Sequence, residues 1–200
     1  TPAGRVDMRA NGDGSFTLGI GDVTLLAEID NTLTPTLQQA AVQRIYGLPL
    51  VHLEHGQQVE VSMSGSAHNS NTLGFVRYDL DPLEGEASIG GIAHDAGDAF
   101  RQAARAALDA GFAATVGGGD FAQTRNWTVA GEDGYYAPVL ITQSGEIFVP
   151  GTGNSGGREY IRTFGANTFG FEDLTAAQGA DFDYNDLVMT LRPLAEPMVL

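Results

Sequence analysis

Short alternations of apolar and polar residues run through most of the chain, and they predict strands rather than a helical bundle. The alternation begins at residues 15–30, and residues 48–53 and 57–65 predict a strand pair around the turn EHGQ. Residues 71–88 predict a strand that runs into an acidic turn. Further strands are predicted at residues 126–130, 135–143, 146–150, 158–165 and 186–194.

Two stretches depart from this alternation and predict short helices. In the first, Thr34 and Pro35 indicate a helix start and Gly47 its end. In the second, residues 94–111 (HDAGDAFRQAARAALDAG), apolar side chains recur on one face and Gly111 is the predicted stop. Because helices and strands do not alternate regularly, the pattern predicts a mainly β fold, an antiparallel β-sandwich or jelly-roll-like arrangement with two short inserted helices.

The length predicts one domain over residues 1–200, with residues 193–200 as a loose tail. No apolar run approaches the roughly 20 residues of a membrane-spanning helix. The first residues, TPAGRVDMRA, have no basic-then-apolar secretion signal. The chain is therefore predicted to be soluble, without a membrane span, and a mature or excised segment.

Charge and cysteine content narrow the possible functions. Ten arginines, no lysine and 25 acids give a formal net charge of -15. Nucleic-acid binding needs a basic face, so this balance argues against it, whereas salt or bound cations would relieve the repulsion among the acids. The chain has no cysteine, which excludes disulfides and thiolate metal sites.

The densest acidic cluster lies near the C-terminus. Residues two apart in an extended or looped backbone point the same way, which brings Asp181, Asp183 and Asn185 together. Calcium takes six to eight oxygen ligands, and oxygen ligands without cysteine or paired histidine favour calcium over zinc, copper or iron. The sequence therefore predicts a calcium site whose ligands are Asp181, Asp183, Asn185 and Asp186, with Glu172 and Asp173 completing the sphere.

The cluster is not an EF-hand, because Asp186 stands where the sharp-turn glycine belongs and Arg192 where the closing glutamate belongs. The alternative is a solvated acidic turn before a strand. Calcium is favoured because uncompensated carboxylates this close would repel one another at neutral pH. Acidic groups at residues 7–13 and 79–86 have the same two interpretations, with the exposed turn favoured, and GGGDF (117–121) is predicted to be a loop.

The C-terminal motif FGFEDL, a glycine-containing spacer and DFDYNDLV resembles the closing motif of the bacterial domain of unknown function 4114 family. Earlier stretches, NTLGFVRYD, GGIAHDAGDAFRQAA and GYYAPVLI, fall in the order that this family uses, so the resemblance covers about residues 72–191. The spacer TAAQGA has fewer glycines than is usual in the family. The resemblance implies a β-rich, calcium-dependent module of large secreted or adhesin-like proteins, often with RTX-type repeats, and it supplies no catalytic residues.

Two other patterns suggest chemistry. GNSGG (153–157) is similar to the nucleophile loop of chymotrypsin-type serine proteases, and the chain order allows His52 or His94, then Asp98, then Ser155. Nothing local supports convergence of these residues, so a glycine-rich hairpin or surface loop is favoured and no enzymatic activity is predicted.

Trp127, Tyr135 and Tyr136 are candidates for a sugar-stacking platform, with burial in the core as the favoured alternative. The predicted function is a calcium-binding module of a secreted or cell-surface bacterial protein, in which calcium locks the fold for adhesion or for binding a ligand such as a surface glycan. The alternatives are a purely structural calcium-stabilised spacer and, less favoured, a serine hydrolase.

Overall fold

A computed structural model describes residues 6–10, 16–20, 23–27, 46–81, 85–165 and 167–194 of the chain. The first three segments are strands β1 (Val6–Ala10), β2 (Phe16–Ile20) and β3 (Val23–Ala27), which pair in that order as an antiparallel sheet. The predicted helix between Thr34 and Gly47 lies almost entirely outside the described residues, as does the tail beyond Leu194.

The remaining strands form one ten-stranded antiparallel sheet, in the order β10-β9-β5-β13-β12-β11, with β4 paired to β9, β8 and β6 to β5, and β7 to β6. This arrangement confirms the mainly β, antiparallel class predicted from the sequence. The strands are β4 (Val51–Leu53), β5 (Gln58–Asp81), β6 (Glu86–Ile89), β7 (Ile92–Ala93), β8 (Ala114–Thr128), β9 (Gly134–Ile141), β10 (Ile147–Phe148), β11 (Ile161–Gly165), β12 (Thr168–Phe171) and β13 (Leu187–Pro193).

Strand β5 is the centre of the sheet and is 24 residues long. Its first part lies between β8 and β13, and its second part pairs with β9. The predicted strands at 57–65 and 71–88 thus merge into one. The predicted pairing of 48–53 with 57–65 is wrong: the chain does turn at Gly56, but β8 and β13 already occupy both sides of β5, so β4 pairs with β9.

Apolar side chains cover both faces of the sheet, as the alternation along its strands requires. On β5, Phe75 belongs to one core and Val76 to the other. Strands β10 and β11 end the hydrogen-bonded path, yet Phe148 of β10 stacks on Tyr160 beside β11, with ring centroids 4.1 Å apart. The sheet therefore curls around the core that contains Phe75.

The helix α1 (Asp98–Ala106) packs on the core that contains Val76 and buries Phe100 and Ala104 there. It confirms the second predicted helix but ends five residues before the predicted stop at Gly111. The cause is the sheet: the backbone N–H of Asp109 donates to the carbonyl of residue 75 at 2.7 Å, so β5 captures the chain soon after the helix.

The segment GGGDF (117–121), predicted to be a loop, lies inside β8, so that prediction is wrong. Gly117, Gly118 and Gly119 all have positive φ, and they occur where the pairing of β8 with β5 shifts register between Ala67 and Ser70. The glycines accommodate a bulge within a strand whose long partner continues on both sides.

Candidate metal centre

The acidic cluster occupies the loop 172–186, which connects β12 to β13. These strands pair with each other and β13 pairs with β5, so both ends of the loop are anchored in the main sheet. A 3-10 turn, Ala176–Gln178, closed by a capping box, reverses the chain. Asn185 then returns to the sheet through a bridge to Phe171. This path brings residues 181–186 back beside Glu172.

Two aromatic residues of the loop have left-handed backbones. The φ angles are 60° at Phe182 and 62° at Tyr184, and such a conformation costs a non-glycine residue about 1–2 kcal/mol. Arg162 lies 4.2 Å from the ring of Tyr184, and Arg158 lies 5.3 Å from that of Phe182. These cation–π contacts, together with burial of Tyr184, offset the strain and hold the backbone shape on which the acidic side chains are mounted.

Glu172, Asp181 and Asp183 form the first acidic group, here called the outer carboxylates. Each offers one oxygen, and the three oxygens lie within 4.8 Å of one another. Ligands on opposite sides of a calcium ion are about 4.6–5.2 Å apart, because each lies about 2.3–2.6 Å from the ion. The three oxygens are therefore close enough together for one calcium ion to contact all of them.

The three outer carboxylates differ sharply in exposure. Asp181 and Asp183 are exposed, whereas Glu172 is 0% exposed. Its Oε1 accepts a hydrogen bond from the backbone N–H of Tyr184 at 2.6 Å, but its Oε2 is buried and has no hydrogen-bond partner among the described residues. A buried polar atom left unpaired costs about 1–3 kcal/mol, more when it is charged, and a cation bound by Asp181 and Asp183 would remove that cost.

Asn185 supports the outer group rather than joining it directly. Its side chain is exposed, and both its backbone N–H and its amide Nδ2 donate to the carboxylate of Asp183. These bonds fix the orientation of Asp183. Rotation of the Asn185 amide would present its oxygen in place of its nitrogen, and an amide oxygen is a calcium ligand.

Asp173 and Asp186 form a second group, here called the inner pair. Asp186 Oδ2 accepts the backbone N–H of Asp173 at 2.8 Å. Asp173 is 1% exposed, and its Oδ2 accepts the backbone N–H of Asn69 at 2.8 Å and Nδ2 of Asn71 at 3.3 Å. Its Oδ1 is buried and lacks a hydrogen-bond partner within the described part of the chain. The inner pair thus lies against β5 at the register shift between Ala67 and Ser70, here called the bend of β5.

The environment disfavours negative charge in both groups. Burial raises the pKa of Glu172, and the charges of Asp181 and Asp183 raise it further, against the lowering effect of backbone donors. Burial, followed by the neighbouring carboxylates of Asp173 and Glu172, raises the pKa of Asp186 to about 6. Both pKa shifts come from burial and from the like charge of neighbouring carboxylates.

Among the residues that the structure describes, no arginine forms an ion pair with this cluster. The ion pairs of the described arginines are with acids elsewhere, and none involves the outer carboxylates or the inner pair. Arg158 and Arg162 lie over the aromatic rings of the loop, Phe182 and Tyr184. A bound cation would compensate the cluster without protonating it.

The predicted sugar platform is wrong for two of its three residues. Trp127 is 0% and Tyr136 2% exposed; Trp127 stacks on Phe75 with centroids 4.2 Å apart and donates to Asp109 Oδ1 at 3.0 Å. Tyr135 is half-buried against His52. Rings that face the core cannot stack on a sugar, so the favoured alternative, burial in the core, is the observed one.

The candidate protease residues have other neighbours. Ser155 is exposed in a 3-10 turn, Ser155–Gly157, and Asp98 pairs with Arg101 at 3.3 Å. His94 Nε2 donates to the carbonyl of Pro150 at 2.9 Å, and the ring of His52 lies against Tyr135. The nitrogen of His94 that would serve a nucleophile is thus used by the backbone.

The acidic group at 79–86 differs from the loop, and most of the group at 7–13 lies outside the described residues. In the group at 79–86, Asp79 pairs with Arg77 at 2.7 Å, Glu86 is exposed, and Glu84 lies outside the described residues. In the group at 7–13, only the backbone of Asp7 is described.

Asn69 and Asn71 contribute to the centre but are not among the residues predicted from the sequence. They lie more than 100 residues before Asp173, and Asn71 is 2% exposed. The spacing of these two asparagines, N-x-N, is the one local sequence feature that marks them. Their role as donors to Asp173 follows only from the fold, which brings the end of β12 beside β5.

Comparisons of the chain with protein-family models, curated proteins and solved structures gave no match. The resemblance of the C-terminal motif to the domain of unknown function 4114 family stays a prediction. Within the described residues, none of the helical structure has the length and apolar character needed to cross a bilayer.

Proposed function

We propose that the loop 172–186 binds calcium through Glu172, Asp181 and Asp183, and that binding locks the C-terminal strands of an extracellular structural module. The observation that carries the proposal is the carboxylate of Glu172. It is fully buried, one of its oxygens has no partner among the described residues, and it lies within ligand distance of two exposed aspartates.

Calcium suits this arrangement better than magnesium. Magnesium demands near-ideal octahedral geometry and keeps several of its waters, whereas calcium accepts six to eight oxygens in irregular arrangements. The loop offers crowded carboxylates, an adjacent amide at Asn185 and open solvent beside Asp181 and Asp183 for water ligands. Dissociation constants of extracellular calcium modules are on the order of 10⁻⁴–10⁻³ M, so such a site is filled outside the cell and empty inside.

A structural role is favoured over carbohydrate binding because the aromatic platform is absent. Trp127 and Tyr136 are in the core, which removes the residues on which a glycan-binding role depended. The loop, in contrast, joins two strands that continue the main sheet through β5. Calcium would therefore stabilise the sheet itself. The resemblance of the C-terminal motif to a family of secreted proteins supports the extracellular setting.

The test is thermal unfolding in EDTA, in calcium and in magnesium, for the natural protein, for Asp183→Asn and for the control Asp95→Asn. Asp95 is an exposed turn residue outside the loop, so its substitution removes one negative charge but none of the proposed calcium ligands. At free calcium about 100 times the dissociation constant, binding adds about 2.7 kcal/mol. We expect the natural protein and Asp95→Asn to gain several degrees in calcium alone, and Asp183→Asn to lose most of that gain. Equal melting temperatures in EDTA and calcium for the natural protein would refute the proposal.

A further inference from the structure

The carboxylates of the loop have two separate sets of partners. Glu172 Oε1 is 2.6 Å from the backbone nitrogen of Tyr184, inside the loop. Asp173 Oδ2 is 2.8 Å from the backbone nitrogen of Asn69, on β5. The three oxygens of the outer carboxylates cluster without Asp173 or Asp186. One ion among the outer carboxylates therefore leaves the inner pair uncompensated.

The inner pair is built into the sheet. Asp186 is held through its Oδ2 by the backbone of Asp173, and Asp173 is held through its Oδ2 by Asn69 and Asn71. The amide of Asn71 is fixed in turn, because its Oδ1 accepts the backbone N–H of Gln143 at 3.2 Å.

Gly65 allows the backbone of Asp186 to approach β5. A Cβ atom at this position would collide with the carbonyl oxygen of Asp186. The inner pair is thus held from β5, from the end of β12 and from the start of β13.

One atom of this arrangement needs a ligand. Asp173 is 1% exposed, and its Oδ1 has no hydrogen-bond partner in the part of the chain that the structure describes. The Asp186 carboxylate lies beside Asp173, since its Oδ2 accepts the backbone N–H of Asp173 at 2.8 Å, and two carboxylates cannot satisfy each other while both are charged. Calcium binds through carboxylate oxygens and fills its remaining positions with water or carbonyl oxygens.

We propose that Asp173 Oδ1 and the carboxylate of Asp186 bind a second divalent cation, separate from the ion of the outer carboxylates. This inference rests on the proposed function and extends it from one calcium ion to two. The outer ion joins the two halves of the loop, whereas the inner ion joins the loop to β5 at its bend. Glu172 belongs to the outer carboxylates, and Asp173 of the inner pair follows it directly in the chain.

The experiment counts bound calcium by equilibrium dialysis of the full chain, at protein concentrations on the order of the expected 10⁻⁴–10⁻³ M dissociation constant. The natural protein is compared with Asp173→Asn for the inner pair, Asp181→Asn for the outer carboxylates and Asp95→Asn as the charge-matched control. The asparagine of Asp173→Asn keeps an oxygen for Asn69 and Asn71. If this variant fails to fold, Asp186→Asn replaces it, and the emission of the buried Trp127 reports folding in every sample.

We expect two ions per chain in the natural protein and in Asp95→Asn, and one in Asp173→Asn and in Asp181→Asn. The ¹¹³Cd NMR spectrum of the cadmium-loaded natural protein should show two resonances, one of which disappears in Asp173→Asn. One ion in both the natural protein and Asp173→Asn overturns the second site and leaves the proposed function intact. No ion in the natural protein overturns the proposed function. Two ions in Asp173→Asn overturn the assignment to the inner pair.

Discussion

Substitution of Glu172 by glutamine should raise the stability of the calcium-free protein and lower its response to calcium. Glu172 is completely buried, with Oε1 bonded to the Tyr184 N–H and Oε2 without a partner among the described residues. Glutamine keeps the accepting oxygen. It also replaces the unpaired oxygen with an NH₂ donor beside the carboxylates of Asp181 and Asp183, whose oxygens lie within 4.8 Å.

The burial of Glu172 and the expected calcium affinity set the size of the stability gain in EDTA and of the response to calcium. An unsatisfied buried polar atom costs about 1–3 kcal/mol, and 1 kcal/mol shifts the midpoint of a domain of this size by about 2–4 °C. Glu172→Gln should therefore unfold about 2–12 °C higher in EDTA. Calcium at about 10 mM exceeds a dissociation constant of 10⁻⁴–10⁻³ M by about 10–100 fold, which stabilises the natural protein by about 1.4–2.7 kcal/mol. The variant has lost its buried charged ligand and should gain much less.

The assay is thermal unfolding followed by the fluorescence of Trp127, the one tryptophan in the chain, in EDTA and in calcium. Glu86→Gln is the matched control, because Glu86 is an exposed glutamate at the start of β6. The stability difference between Glu172→Gln and the natural protein should shrink or change sign on adding calcium, while the control follows the natural protein. A variant that is less stable in EDTA and keeps the full calcium response would refute the role given to Glu172.

Two further predictions concern proton binding and the core. Folding raises the pKa of Asp186 from its ordinary 3.8 to about 6, so the folded protein binds a proton there more tightly than the unfolded chain does. Protonation of Asp186 therefore stabilises the folded state fully below about pH 4, and this stabilisation is lost as the pH rises through 6. The calcium-free protein should therefore gain roughly 1 kcal/mol between pH 7 and 5 relative to Asp186→Asn; parallel stability curves in urea titrations would contradict this. Asp109 accepts bonds from Trp127 Nε1 and the backbone N–H groups of Gly111, Ala130 and Gly131 at 2.7–3.2 Å. Asp109→Asn should cost about 2–4 kcal/mol by urea unfolding with no change in calcium response, since each bond to a charged group contributes about 1.5–3 kcal/mol; an unchanged midpoint would show that the amide replaces these bonds.

The local pattern predicts the strands better than their partners. Alternation located β13 and the first part of β5 because each has one buried face, so burial repeats every second residue. β9 was located by its apolar run instead, since residues 136–140 are all buried. It could not pair β4 with β9, because that choice depends on which neighbours already flank β5. It also missed that Gly117 to Gly119 belong to a strand, since the length of β8 is set by its partner.

The candidate site shows the same division between local and distant information. Residue type and spacing identified Asp181 and Asp183, which follow Glu172 by nine and eleven residues. The returning loop brings them back to it. Their exposure and the complete burial of Glu172 follow from the packing of β12, which no local count of acids contains. The separation of Asp173 from this group depends on Asn69, a residue 104 positions earlier in the chain.

The position of the loop indicates what calcium would stabilise. β12 and β13 pair over only three positions, Thr168↔Thr190 to Gly170↔Val188, and β13 pairs with β5 over six. Repulsion among the carboxylates acts at the end of this short ladder, where it would separate β12 from β13. An ion among the outer carboxylates would oppose that separation. The contacts of Arg158 with Phe182 and of Arg162 with Tyr184 hold the loop backbone independently of an ion. Calcium should therefore suppress local opening of β12 and the loop more than it changes the folded structure, so amide hydrogen exchange should slow most at residues 168–171 and least in the centre of β5.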